Sequence, residues 1–141
     1  MLDPTSTYVI DSLALRYQRM YHSTAPGELM IPVSAHLELV DELARTAPAG
    51  LQRQEVLRNH SQVALLAGRL SFFDLHDPGT ARAYYGMSLD SAREAGDPHL
   101  EAVTLGHMSF VAAATRSFRA ASTCSKALTS TPPGARLCRR G

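Results

Sequence analysis

Apolar residues recur three and four positions apart through most of the chain, the spacing that gives a helix one buried face. No stretch alternates apolar and polar residues between turns as a half-buried strand would. The spacing predicts helices over about 5–22, 28–46, 50–74, 79–95 and 98–116, with a short sixth over about 117–128 where the pattern fades. Three Asp-Pro pairs, Asp3-Pro4, Asp77-Pro78 and Asp97-Pro98, mark helix starts: the carboxylate can accept from free first-turn amides, and the proline has no amide to leave unsatisfied. Gly96 suits the left-handed position that closes a helix, so Ala95-Gly96-Asp97-Pro98 reads as stop, turn and start. Pro32 requires the second helix either to kink there or to begin near Ile31, since an interior proline costs about 3 kcal/mol. Connections this short join antiparallel neighbours. The expected fold class is all-α, with antiparallel helical hairpins.

A longer period lies over the helical one. Ala64-Leu65-Leu66-Ala67-Gly68-Arg69-Leu70-Ser71-Phe72 aligns with Ala102-Val103-Thr104-Leu105-Gly106-His107-Met108-Ser109-Phe110 at a constant offset of 38, with Ala, Gly, Ser and Phe identical. Glycine within a helix costs roughly 1 kcal/mol relative to alanine, so its recurrence at Gly68 and Gly106 suggests a backbone that a neighbouring helix approaches closely. Ala64, Gly68 and Ser71 then form a small-residue seam, and Ser109 repeats Ser71. Between the copies, Ala81, Tyr85, Ser88 and Ala92 give the next helix a face of small residues around one aromatic anchor.

A helix with a small-residue seam, a loop at His76 to Pro78 and a second helix with Ala81 and Tyr85 together resemble the tetratricopeptide (TPR) repeat. The departures are a period of 38 residues, a helix A aromatic displaced to Phe72 and Phe73, and no proline ending helix B. A more specific likeness rests on Leu13 to Ser23, on Leu66-Ala67-Gly68-Arg69-Leu70-Ser71-Phe72-Phe73-Asp74, and on Ala92-Arg93-Glu94-Ala95-Gly96-Asp97. These stretches resemble the C-terminal TPR-like module of actinobacterial helix-turn-helix (XRE-type) transcriptional regulators. The resemblance implies a short α-solenoid that senses a ligand or peptide or mediates self-association, contacting DNA only through a separate helix-turn-helix domain. The sequence begins directly on the repeat module, and a truncated or frameshifted remnant of such a regulator is the alternative expectation.

Composition sharpens the boundaries. Fourteen basic and 13 acidic residues give a net charge of +1. That near-neutrality hides two parts: residues 1–118 hold all 13 acids and nine bases, for a net of −4, whereas 119–141 hold five bases and no acid. We therefore expect a TPR-like helical domain over 1–118 and a basic, weakly ordered tail over 119–141. Weak nucleic-acid binding through that tail is a further alternative, ranked last because the tail has no interleaved aromatics and the body is acidic. No apolar run approaches the roughly 20 residues of a membrane span, and the N-terminus lacks a signal-peptide pattern, which suggests a cytoplasmic protein without membrane partners. Cys124 and Cys138 show no ligand or framework spacing and are expected to be free thiols.

Catalytic constellations are not found. His22, His36, His60, His76, His99 and His107 form no HExxH or other i, i+4 pair and are expected to be surface or half-buried structural residues. Serine-hydrolase, Walker A and dinucleotide signatures are absent, so neither catalysis nor a cofactor or metal is expected. Glu38, Asp41 and Glu42 read as a solvated face. If Gly68 and Gly106 mark the packed face of their helices, then Leu65, Arg69, Phe72 and Phe73, together with Val103, His107 and Phe110, turn toward an open groove that would take a peptide or small ligand. Arg69 and His107 occupy equivalent positions and could face one anionic partner. The simpler reading pairs Arg69 with Asp74 or another local acid and leaves the phenylalanines in the core. A short repeat array exposes apolar ends, so a homodimer is expected.

Overall fold

Each Asp-Pro pair does begin a helix. A computed structural model describes residues 3–129, with α1 at Pro4–Met20, α2 at Pro26–Thr46, α3 at Leu51–Arg69, α4 at Pro78–Glu94 and α5 at Pro98–Thr129. No strand occurs among the described residues. Asp77 Oδ1 accepts from the Thr80 amide at 3.0 Å, and Asp97 Oδ1 accepts from the His99 and Leu100 amides at 3.1 and 3.0 Å. Asp3 occupies the N-cap position without a side-chain bond. Gly96 takes φ +67°, which lets the Asp97 amide donate back to the Ala92 carbonyl at 3.0 Å and closes α4.

Three elements depart from the expected pattern. α2 starts at Pro26 and runs unbroken through Pro32. Leu29 and Val33, on either side of that proline, are fully buried, and their burial offsets the lost amide bond. α3 does not continue as an α-helix to residue 74; Leu70–Asp74 forms a π-helical turn. α5 absorbs the expected sixth helix and crosses the change in composition at residue 119, because residues 112–128 contain no Gly or Pro and five alanines lie between Ala112 and Ala121. The remainder of the expected tail, 130–141, lies outside the described residues. Cys124 is disulfide-bonded and so is not the free thiol that its spacing suggested; the expectation for Cys138 lies outside the described residues.

α3 is central and touches all four other helices. Its Val63, Leu66 and Ala67, with Leu70 of the π-helical turn, meet Ala14 of α1 and Leu29, Val33 and Leu37 of α2. On the α4 side the small-residue seam is buried as expected. A Cβ on Gly68 would lie 2.5 Å from Tyr85 Cε1, so the Tyr85 ring rests on bare backbone. Ala81, Tyr85, Ser88 and Ala92 are all 0% exposed. The second copy of the seam behaves differently. Ala102, Gly106 and Ser109 are exposed, and nothing lies within 4 Å of a Gly106 Cβ, because among the described residues no helix does for α5 what α4 does for α3.

Polar side chains tie the helices together from inside. Ser61 and Ser88 each donate to the other's carbonyl at 2.8 and 2.9 Å, and the Ser88 hydroxyl lies 2.9 Å from that of Thr104 on α5. Asn59 meets His36 Nε2 on α2 at 2.9 Å and donates to Asp11 on α1 at 2.8 Å. His60 Nδ1 lies 2.7 Å from the Ser91 hydroxyl on α4, while its Nε2 is buried without a partner. His36 and His60 are thus buried, not at the surface or half-buried, because both lie on inward faces with polar residues opposite them. Burial pushes the His60 imidazole below its usual pKa of 6.5; His36 pushes the same way and Asp41 opposes.

Two predictions follow from this packing. Gly68→Ala gains roughly 1 kcal/mol of helix propensity but overpacks against a ring that cannot yield, at a cost of about 1–3 kcal/mol. In urea denaturation it should destabilise the protein, whereas Gly106→Ala should stabilise it by up to about 1 kcal/mol; equal effects at the two glycines would contradict the asymmetry. For His60, the unfolded chain takes up a proton that the folded chain resists. Stability should be full above about pH 6.5 and fall as the pH drops below it, and His60→Gln, which keeps a partner for Ser91 but cannot charge, should flatten that slope in melts from pH 8 to pH 5.

Candidate functional site

A concave surface of mixed chemistry lies where α1, α3 and α5 run alongside one another. Asp11, Leu15 and Gln18 are spaced i, i+4 and i+7, so they share one face of α1. Gln62 and Leu65 come from α3, and His99, Leu100 and Val103 from the first turns of α5. Together they line a groove of about 410 Å³. Leu65, Leu100 and Val103 form an apolar floor, Leu15 stands half-exposed at one wall, and Gln18, Gln62 and His99 are open to solvent. One carboxylate oxygen of Asp11 is already held by Asn59. Primary amides both donate and accept, so Gln18 and Gln62 on facing helices suit main-chain amides or a small polar ligand. The lining contains no Ser, Thr, Cys or Lys that could act as a nucleophile.

The repeat is legible on this face. Gln62 and Leu100, and Leu65 and Val103, are related by the offset of 38, and all four line the groove. The other residues expected to line it fall elsewhere. Phe73 and Phe110, with Phe72, form an aromatic cluster with centroids 4.9 to 5.9 Å apart, beside a second groove completed by His76, Pro78 and Ala114. Arg69 lies 4.8 Å above the Tyr21 ring, and the Tyr21 hydroxyl donates to Asp74 Oδ2 at 2.7 Å. His107 packs 5.6 Å from the Tyr85 ring, with its Nδ1 donating to the Val103 carbonyl at 2.9 Å. Arg69 and His107, expected to face one anion together, are therefore each held against a different tyrosine. The expected pairing of Arg69 with Asp74 is indirect, with Tyr21 between them.

Tyr85 is fully buried, whereas Tyr21 is only half-buried. Burial pushes the Tyr85 phenol up to about 12, and its hydroxyl has no hydrogen-bond partner. Tyr21 is also raised, first by burial and then by its bond to Asp74. Neither phenol can act as a base near neutral pH. Gly68, Ser71, Ala81 and Tyr85 are packing residues. Gly106 and Ser109 are not packed, and the Ser109 hydroxyl turns back onto the Leu105 carbonyl at 2.9 Å.

Six groove residues were not singled out by the sequence: Asp11, Leu15, Gln18, Gln62, His99 and Leu100. Gln62 and Leu100 carry a signal, since each lies three residues before an expected groove residue, Leu65 or Val103. The α1 residues carry none, because only the stacking order brings that helix beside α5.

Among the described residues no group of three or more His, Cys, Asp or Glu could hold a metal ion, and no helix is long and apolar enough to cross a membrane. No protein-family model matches the chain, and no curated protein or solved structure shows significant similarity to it.

Proposed function

We propose that this chain is a non-enzymatic, TPR-like interaction module that takes an extended peptide or small ligand in the groove between α1, α3 and α5. One observation carries the reading: two pairs of repeat-equivalent residues, Gln62 with Leu100 and Leu65 with Val103, turn to the same concave surface. In a stacked-helix solenoid the first helices of successive hairpins line the inner face, which is where α1, α3 and α5 would stand if α1–α2 and α3–α4 are successive hairpins. The apolar floor supplies burial, and the glutamines supply orientation and specificity. On this reading the protein is related to the sensing half of a cytoplasmic helix-turn-helix regulator, in which DNA is contacted by a separate domain.

The test is selection from a random peptide library against the full chain, followed by calorimetric titration of the selected peptides. Leu15→Glu and Val103→Glu place charge on the groove without touching the buried core, and each should weaken binding by about tenfold or more, equivalent to about 1.4 kcal/mol. His76→Ala, at the second groove, should leave affinity unchanged. Peptides indifferent to Leu15 and Val103, or a library that yields none and no thermal stabilisation, would count against the groove.

A further inference from the structure

α5 is 32 residues long, about 48 Å, while its neighbour α4 has 17 residues and spans about 26 Å. The two are antiparallel: Arg93 near the end of α4 pairs with Glu101 at 2.8 Å, and Arg82 near its start donates to Thr115 at 2.9 Å. After Thr115, therefore, α5 runs out of cover among the described residues while its inward stripe continues. Leu100, Thr104 and Val111 are 8%, 0% and 1% exposed; Phe118, seven residues on from Val111 and on the same face, is 76% exposed. This stretch is also basic. From Ala102 to Thr129 there is no acid, and Arg116, Arg119 and Lys126 are present. Neither Arg116 nor Arg119 has an ion-pair partner among the described residues.

A complementary surface lies at the α1–α2 end. Val9 and Ile10 of α1, with Leu39 and Leu43 of α2, line a groove of about 360 Å³ with Asp3 at its rim. Leu39 is 51% and Val9 48% exposed. α2 carries four acids, Glu28, Glu38, Asp41 and Glu42, against the single base Arg45. Glu38 has no ion-pair partner among the described residues, and the Glu42–Arg45 pair at 3.1 Å is well exposed and exchanges at little cost.

We infer that the projecting half of α5 docks on the α1–α2 groove of a second copy of this chain, with Phe118 in the groove and its basic flank against the acids of α2. Two α5 helices facing each other would set like charges together, so the contact joins unlike surfaces. An interface between unlike surfaces either runs head to tail into rings or open chains or is exchanged reciprocally in a two-fold dimer. This inference is independent of the ligand groove, which uses other faces of α1, α3 and α5.

The test uses the full chain in sedimentation velocity at rising concentration. Wild type should associate, and its association should weaken when salt rises from about 0.05 to about 0.5 M. Phe118→Glu and Leu39→Lys, both exposed positions, should each be monomeric with unchanged helicity and melting temperature. An equimolar mixture of the two should give a heterodimer and nothing larger, since one copy keeps its groove and the other its Phe118. A wild type that stays monomeric at low salt, a mixture that stays monomeric, or a Leu39→Lys protein that associates as wild type does would overturn the inference.

Discussion

The contact between Tyr85 and the backbone of Gly68 sets the geometry on which the rest of the structure depends. With no Cβ at Gly68, the Tyr85 ring lies directly on α3, so α4 comes closer than any other residue at position 68 would permit. That closeness brings Ser61 and Ser88 near enough to exchange hydrogen bonds with each other's carbonyls, and it places Ser91 against His60. It leaves the Tyr85 hydroxyl without a partner. A buried phenol without a hydrogen bond costs about 1–3 kcal/mol, so the close packing is favourable enough to outweigh it.

The polar bonds around this contact do more to specify the arrangement than to stabilise it. Each is worth only about 0.5–1.5 kcal/mol net, but leaving one partner buried and unmade costs more. A helix displaced by one turn would strand Asn59, His36 or Ser88 without water, whereas an Ala and Leu core would tolerate the slip. Asn59 is the key member, since its amide reaches α2 through His36 and α1 through Asp11 and so ties three helices at one residue. Interior polar groups of this kind are committed to one another, and the open surfaces are left with amides, leucines and phenylalanines. Such surfaces suit recognition, which is why an interaction role is the one proposed.

The helices were legible because their starts carry local chemistry. Asp77 and Asp97 cap as their Asp-Pro pairs imply, and Gly96 closes α4 where a left-handed residue was expected. What failed was non-local. Pro32 breaks an isolated helix, but here Leu29 and Val33 are held in the core on either side of it, a tertiary effect that no local rule contains. Gly106 matches Gly68 in sequence, yet the match says nothing of whether a helix covers it. The same limit governs the site: offset-related residues on α3 and α5 were found, while the α1 wall was not, because sequence distance hides the stacking order that brings Gln18 beside Gln62.

The unequal fate of the two repeat copies has a simple physical origin. α3 is followed by a helix that folds back across its seam, and the hairpin between them turns at the π-helical segment, where Asp74 also reaches Tyr21 on α1. The insertion ends α3 with a distinct geometry and carries the chain through Leu75 to Asp77, the N-cap of α4. α5 has no such interruption. Its alanine-rich second half contains no Gly or Pro to stop it, so it continues straight past the point where α3 turns, and its apolar stripe emerges from cover at Phe118. The exposed face of α5 is thus a consequence of helix propensity acting where the repeat, at its equivalent position, supplies a turn.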